Sequence, residues 1–205
     1  MINRPSLREM KKEATASALS EIAFQLTIER GLEGFVVEDI VQRAGYSRRT
    51  FANHFSCKEE AVAMAAYPYH GIEEFFELLQ HMPDSTSPVE AMYQFVKMQL
   101  AEQSLKRMRH LYKLCKEYKA LEPYTLSVFH SMQKKGQEML TTLYRDTHSP
   151  QYTYLLMGAI FSTIESVLDG TLQVLLPGQD KEEAPGALSF DDYLDTTFSY
   201  LRNGF

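Results

Sequence analysis

A single glycine constrains this chain more than any other residue. Gly45 separates two short apolar-patterned segments, Val37 to Ala44 and Ser47 to Phe55, with only Tyr46 left to complete the connection. Ile40, Val41 and Ala44 fall on one side of the first segment, and Phe51 and Phe55 stand one helical turn apart in the second. Ser47 is placed to cap that second helix, which is predicted over 48–55. So tight a connection needs a residue free to take positive φ, which is Gly45, and a small side chain where the helices cross, which is Ala44. Upstream, Leu19, Ile22, Ala23 and Leu26 follow the i, i+3, i+4, i+7 spacing of a helix that ends on Arg30-Gly31. Three short helices with a glycine between the last two make the helix-turn-helix pattern, with Ile40, Phe51 and Phe55 clamping the third helix to the others.

The rest of the chain also reads as helices. The spacing predicts one from Lys58 to about Gln80, divided at Pro68, then a loop over 82–88. Helices follow over about 88–104, 105–120 and 123–146, with Pro123 in a first turn. Pro150 opens the longest, about 151–176, which would span roughly 39 Å at 1.5 Å per residue. Pro177-Gly178 ends it, the acidic stretch 177–189 is expected to be mobile, and a last helix covers about 190–202. No segment alternates with period two and nothing repeats. The expected class is all-α, with a three-helix head over 1–58 and a larger helical domain over 59–205.

The net charge of −6 conceals an asymmetry. Residues 1–58 hold nine basic and seven acidic side chains, for +2, and the remainder carries −8. A mildly basic head on an acidic body points to two modules with different partners. No apolar run approaches the roughly 20 residues that cross a bilayer; the longest, Tyr154 to Phe161, soon meets Glu165. The charged N-terminus has no apolar signal region, so no leader, no membrane partner and a cytoplasmic location are expected. Cys57 and Cys115 lie 58 positions apart, which is no redox or metal spacing. The six histidines form no His-x-x-x-His pair, and no P-loop, dinucleotide glycine pattern, Gly-x-Ser-x-Gly or His-Glu-x-x-His occurs. Neither an enzyme nor a cofactor or metal is expected.

The outward face of the third helix presents Arg48, Arg49, Thr50, Asn53 and His54, side chains suited to base edges and phosphates in a major groove. The run from Gly34 to Glu60 resembles the DNA-binding signature of TetR-type transcriptional regulators. Asp39-Ile40, Ala44-Gly45, Ser47, Thr50-Phe51, His54-Phe55 and Lys58-Glu59 carry that resemblance, which is specific over about residues 10–66. It implies a homodimer that binds a palindromic double-stranded DNA operator. It further implies a C-terminal ligand-binding and dimerisation domain and release by a small-molecule effector, in most cases relieving repression. The DNA-binding set it implies is Ser47, Arg48, Arg49, Thr50, Asn53, His54 and Lys58, with Thr50 and His54 on DNA and Lys58 on a phosphate at the start of the fourth helix.

Two positions depart from the family pattern. Val36 stands where a threonine usually caps the second helix and touches a phosphate, which forfeits a cap of about 1 kcal/mol. Ala52 stands where an aromatic residue, often tyrosine, is usual. Arg48 and Arg49, with Arg4, Arg8, Lys11 and Lys12 from the N-terminal arm, are candidates to replace the lost phosphate contacts. The bland readings stay beside these. Arg48, Arg49 and Lys58 can be solvated, Thr50 an ordinary first-turn residue, His54 packed on the first helix, and the whole head a helical interaction module that no longer binds DNA.

In the larger domain, Met92, Phe95, Met108, Phe129, Met132 and Met157 supply soft apolar surface that suits an adaptable pocket for a small hydrophobic or amphipathic ligand. Gln99, Tyr112 and Glu165 are the polar residues able to orient one. The competing reading is ordinary core. For the dimer, Leu156, Ile160, Thr163 and Val167 of the predicted 151–176 helix and Leu194, Phe198 and Leu201 of the last helix suit a four-helix bundle across a two-fold axis. The alternative is that each packs on its own body.

Overall fold

The first helix is defined by its two ends. Ser6 Oγ accepts from the Glu9 amide at 3.3 Å while Glu9 Oε2 accepts from the Ser6 amide at 2.7 Å, a reciprocal cap that starts α1, Leu7–Arg30. It stops at Gly31, whose φ of 72° and ψ of 162° suit no other residue, and whose amide donates to Thr27 O at 2.9 Å. Between the caps Ala16, Leu19, Ala23 and Leu26 are buried. Ser20 and Thr27 are buried beside them, each hydroxyl donating to the carbonyl four residues back at 2.9 Å. The computed structural model describes residues 6–67, 71–100, 102–180, 182 and 185–204, without the side chains of residues 71 and 72.

The chain forms two compact units, residues 1–70 with 114–129, and residues 71–113 with 130–205. In the first, α1 packs on α2, Val37–Ala44, and α4, Lys58–Ala63. The helix α3, Arg48–Ala52, is shorter than the 48–55 its apolar spacing predicts. The Asn53 amide divides between Arg49 O and Thr50 O, and His54 N reaches Phe51 O, so the last turn tightens past the α-helical pattern. Phe51 and Phe55 still face inward, their ring centroids 5.5 Å apart, and Ile40 is buried with them. The segment 114–129 completes this unit with the end of α7, Glu102–Glu117, a 3-10 turn over Lys119–Leu121, and the start of α8, Glu122–Leu143. Leu114, Leu121, Thr125 and Val128 are buried there, and Cys115 donates to Thr125 Oγ1 at 3.2 Å. Burial pushes the Cys115 thiol up, as befits a core residue.

The second unit holds α5, Gly71–Gln80, and α6, Pro88–Gln99, the earlier part of α7 and the later part of α8. It ends with α9, Pro150–Leu168, and α10, Phe190–Asn203. Serine then proline opens α6 and again α9, with Ser87 Oγ accepting from Glu90 N at 3.2 Å and Ser149 Oγ from Tyr152 N at 3.3 Å. The break expected at Pro68 lies outside the described residues.

One expectation is corrected here. The helix predicted over 151–176 ends at Leu168, because Asp169 closes it and Gly170 follows at a φ of 86°. The apolar run after it is β1, Val174–Leu175, paired parallel to β2, Leu188–Ser189, with Val174 opposite Leu188. Val174 and Leu176 are buried and Leu175 between them is half-exposed, a period-two pattern too short to stand out from a helical run. This two-residue bridge is the only β-structure among the described residues, and the class is all-α.

The apolar stripe expected at the dimer is in large part covered by the chain itself. Leu156, Ile160, Val167, Leu194 and Phe198 are buried within the single chain, so they line its own core. Thr163 is tied to its own helix and its carbonyl accepts from Tyr193 Oη at 2.9 Å, while Leu201 is half-buried. The faces of α9 and α10 left to solvent carry Tyr154, Leu155 and Tyr200 instead, Leu155 at 72% exposure.

Candidate nucleic-acid interface

Gly45 has φ 73° and ψ 28°, the left-handed conformation its place in the turn requires. Tyr46 N then donates to Val41 O at 2.9 Å, closing α2. Ser47 Oγ accepts from the Thr50 amide at 3.0 Å and lies 2.8 Å from Thr50 Oγ1, so cap and first turn are locked together. Arg48, Arg49, Ala52 and Asn53 are exposed, and Thr50 and His54 partly so. The start of α2 lacks the side-chain acceptor a threonine would bring, since Val36 has none. Half of the cap survives, because Asp39 Oδ2 accepts from the Val36 amide at 2.8 Å.

The cations here are in different states. Arg48 Nη1 is 2.7 Å from Glu38 Oε1, a pair that remains largely in water. Arg49 forms no ion pair with any described residue. Arg43 grips Glu29 with two bonds of 2.6 and 2.7 Å, and Arg30 lies 3.6 Å from Asp39; both pairs join α1 to α2. Arg8, Lys11 and Lys12 are exposed along α1, and Arg4 lies outside the described residues. Burial of the His54 ring, with a smaller push from the charge on Lys12, lowers its pKa and favours the neutral imidazole.

Lys58 is the most committed of these cations. Its ammonium donates to Leu32 O at 2.6 Å and Phe35 O at 3.0 Å, and sits 5.1 Å from the centre of the Phe35 ring. It thereby ties α4 to the turn that follows α1, with one N–H left over. Beside it the Cys57 thiol accepts from the Glu60 amide at 3.4 Å, and a hydrogen bond to Cys57 heads the influences that raise the pKa of Tyr124.

The residues nominated for a ligand differ in burial. Met92, Met108 and Met157 are buried; Phe95, Gln99, Tyr112 and Met132 are half-buried, and Glu165 is exposed. Tyr112 Oη donates to Glu165 Oε1 at 3.1 Å, which brings two of them together. The Phe95 ring meets Phe75 edge-on at 4.9 Å, and Gln99 donates to Glu74. Met157 is pressed against Gly136, where a Cβ would stand 2.4 Å from its methyl carbon. Phe129 falls in the first unit. Sequence reasoning missed Glu38 as the partner of Arg48 and the exposed Tyr46 of the turn. The Glu38–Arg48 spacing spans a turn, so no helical period announces it.

Residues 20–63 match the bacterial regulatory proteins of the tetR family. Over 91 residues the chain is 35% identical to the HTH-type transcriptional regulator TcmR of Streptomyces glaucescens, a stretch covering 44% of this chain and 39% of that protein. The match therefore spans about two fifths of the length of that curated relative. Among solved structures, a transcriptional regulator from a Rhodococcus species superposes with a TM-score of 0.53 at 18% identity, covering 92% of this chain and 96% of that one. A protein described as a TetR-family regulator, from Mesorhizobium loti, gives 0.50 at 18%, covering 95% and 96%. At such identity the likeness speaks for the fold alone.

Proposed function

We propose, on the premise that the chain belongs to the TetR family of bacterial regulatory proteins, that it is a DNA-binding transcriptional regulator that works as a homodimer. The observation that carries this reading is the capped turn from Val36 to Asn53. It exposes Arg48, Arg49 and Asn53, with Thr50 and His54 beside them, within the stretch that matches the family. A short recognition helix reads too few bases alone. Two heads about one helical turn apart would read a palindrome. Ser47 orients the helix, and Lys58 contributes through the one N–H that Leu32 and Phe35 leave it.

The head acts from residues 1–58, and ligand binding and dimerisation belong to 59–205. Dimerisation uses the outward faces of α9 and α10, where Leu155, Tyr154 and Tyr200 are exposed beside Thr163 and Leu201. The effector is a small hydrophobic or amphipathic molecule met by side chains among Met92, Phe95, Gln99, Met108, Tyr112, Phe129, Met132, Met157 and Glu165. It acts by preferring one of two head spacings, and the protein represses in the spacing that fits the operator. The cell compartment is the cytoplasm, where the DNA is.

The test is the salt dependence of duplex binding by the full-length protein and by Arg49→Ala. Binding should weaken linearly in log–log coordinates as salt rises, and the variant's slope should be shallower by about 0.9 for the lost phosphate contact. A folded protein without salt-sensitive binding would sink the reading. It would favour instead a helical interaction module, the alternative that Val36 and Ala52 keep open.

A further inference from the structure

Two arginines open α3 and they differ in state. Arg49 is free of ion pairs among the described residues, while Arg48 is held 2.7 Å from the Glu38 carboxylate. Glu38 is the second residue of α2 and Arg48 the first of α3; the left-handed turn at Gly45 brings the two together from ten positions apart. At 77% and 56% side-chain exposure, neither is a core strut. A carboxylate on the surface that is to meet a polyanion lowers its attraction for DNA, so a reason for it is needed.

Magnitudes supply one. An exposed ion pair favours the paired state by no more than about five-fold. Non-specific DNA binding of about 10⁵ M⁻¹ spread over some eight contacts gives each phosphate about four-fold. The two nearly cancel. A bidentate arginine contact to guanine O6 and N7 discriminates by about five- to 150-fold, and this exceeds the grip of Glu38. We propose that Glu38 sets DNA specificity by holding Arg48 away from phosphates, so that the guanidinium transfers only to a guanine edge. Sequence-blind attraction is then left to Arg49 and the α1 cations. The inference rests on the DNA-binding reading above and assigns Glu38 a positioning role within it.

The experiment uses the full-length protein, Glu38→Gln, Arg48→Ala and the double variant. Binding is measured on a 30-base-pair alternating dA·dT duplex, which offers no guanine, and on a mixed-sequence duplex. Glu38→Gln should bind the dA·dT duplex about four-fold more tightly, with a salt slope steeper by about 0.9, and so narrow the preference for the guanine-containing duplex. In the Arg48→Ala background the same substitution should gain clearly less and leave the slope unchanged, since only the general repulsion of the carboxylate is then removed. Circular dichroism should show all variants folded, since both side chains are exposed. Unchanged binding and slope in Glu38→Gln would overturn the proposal. So would an equal gain without Arg48, which would mark general repulsion or direct reading of a base by Glu38. Absence of salt-sensitive binding in the unmodified protein would overturn the DNA-binding reading and this inference with it, whereas normal binding with an inert Glu38→Gln removes this inference alone.

Discussion

Replacing Lys58 by methionine keeps the length of the side chain and removes its donors. Two acceptors then lose their partner, Leu32 O at 2.6 Å and Phe35 O at 3.0 Å, and the Phe35 ring loses the cation 5.1 Å from its centre. Each hydrogen bond from a charged donor contributes about 1.5–3 kcal/mol, and the ring contact about 0.5 kcal/mol. The lysine is only half-buried, so water reaches part of the vacated site and the lower ends apply. A net loss of about 3.5 kcal/mol follows, equivalent to about 7–14 °C in the melting temperature of a chain this long. Thermal unfolding followed by circular dichroism, without DNA, measures it. A melting temperature within about 1 °C of the parent would refute the reasoning. Paired with a salt slope shallower by about 0.9, it would make Lys58 a phosphate contact and nothing more.

Four further outcomes are expected. Gly45→Ala should cost about 1 kcal/mol for its left-handed backbone alone, since nothing lies within 4 Å of the added carbon. Gly31→Ala should cost clearly more, because its Cβ would stand 2.8 Å from Tyr118 Oη at an unfavourable φ and ψ; equal melting temperatures for the two variants would contradict this. The lowered His54 pKa means the unfolded chain takes up a proton at higher pH than the folded one. The stability this residue contributes is therefore present above the usual imidazole value near 6.5 and lost as pH falls through the folded value. His54→Gln should flatten the melting temperature between pH 7.5 and 5, and an unchanged profile would show that another group governs it. Leu155→Glu should convert the proposed dimer to monomer in size-exclusion chromatography with light scattering, without unfolding it; a persistent dimer would place the interface elsewhere.

The head was the most legible part of the sequence. Gly45 and Ser47 are local signals with one structural meaning each, and α2 ends and α3 begins where they predict. The end of α3 was less legible, because Phe51 and Phe55 face inward whether the last turn is α-helical or tighter. Farther along, Leu168 and Val174 to Leu176 look alike as an apolar run, and only the turn at Asp169-Gly170 separates helix from strand. The stripe of Leu156, Ile160, Val167, Leu194 and Phe198 is buried within the chain, and periodicity reports that a face is covered and not by what. The partners of Arg48 and Lys58 were illegible for a related reason. Both bonds join elements distant along the chain, and each arises only when the head has folded.

Two such heads are proposed to act together on DNA. Selection of bound duplexes from a random pool by the purified full-length protein, at low and moderate salt, tests it most directly. A palindrome whose half-sites are centred about one helical turn apart should be enriched. Recovery of no common sequence at low salt, from protein shown to be folded and dimeric, would contradict it.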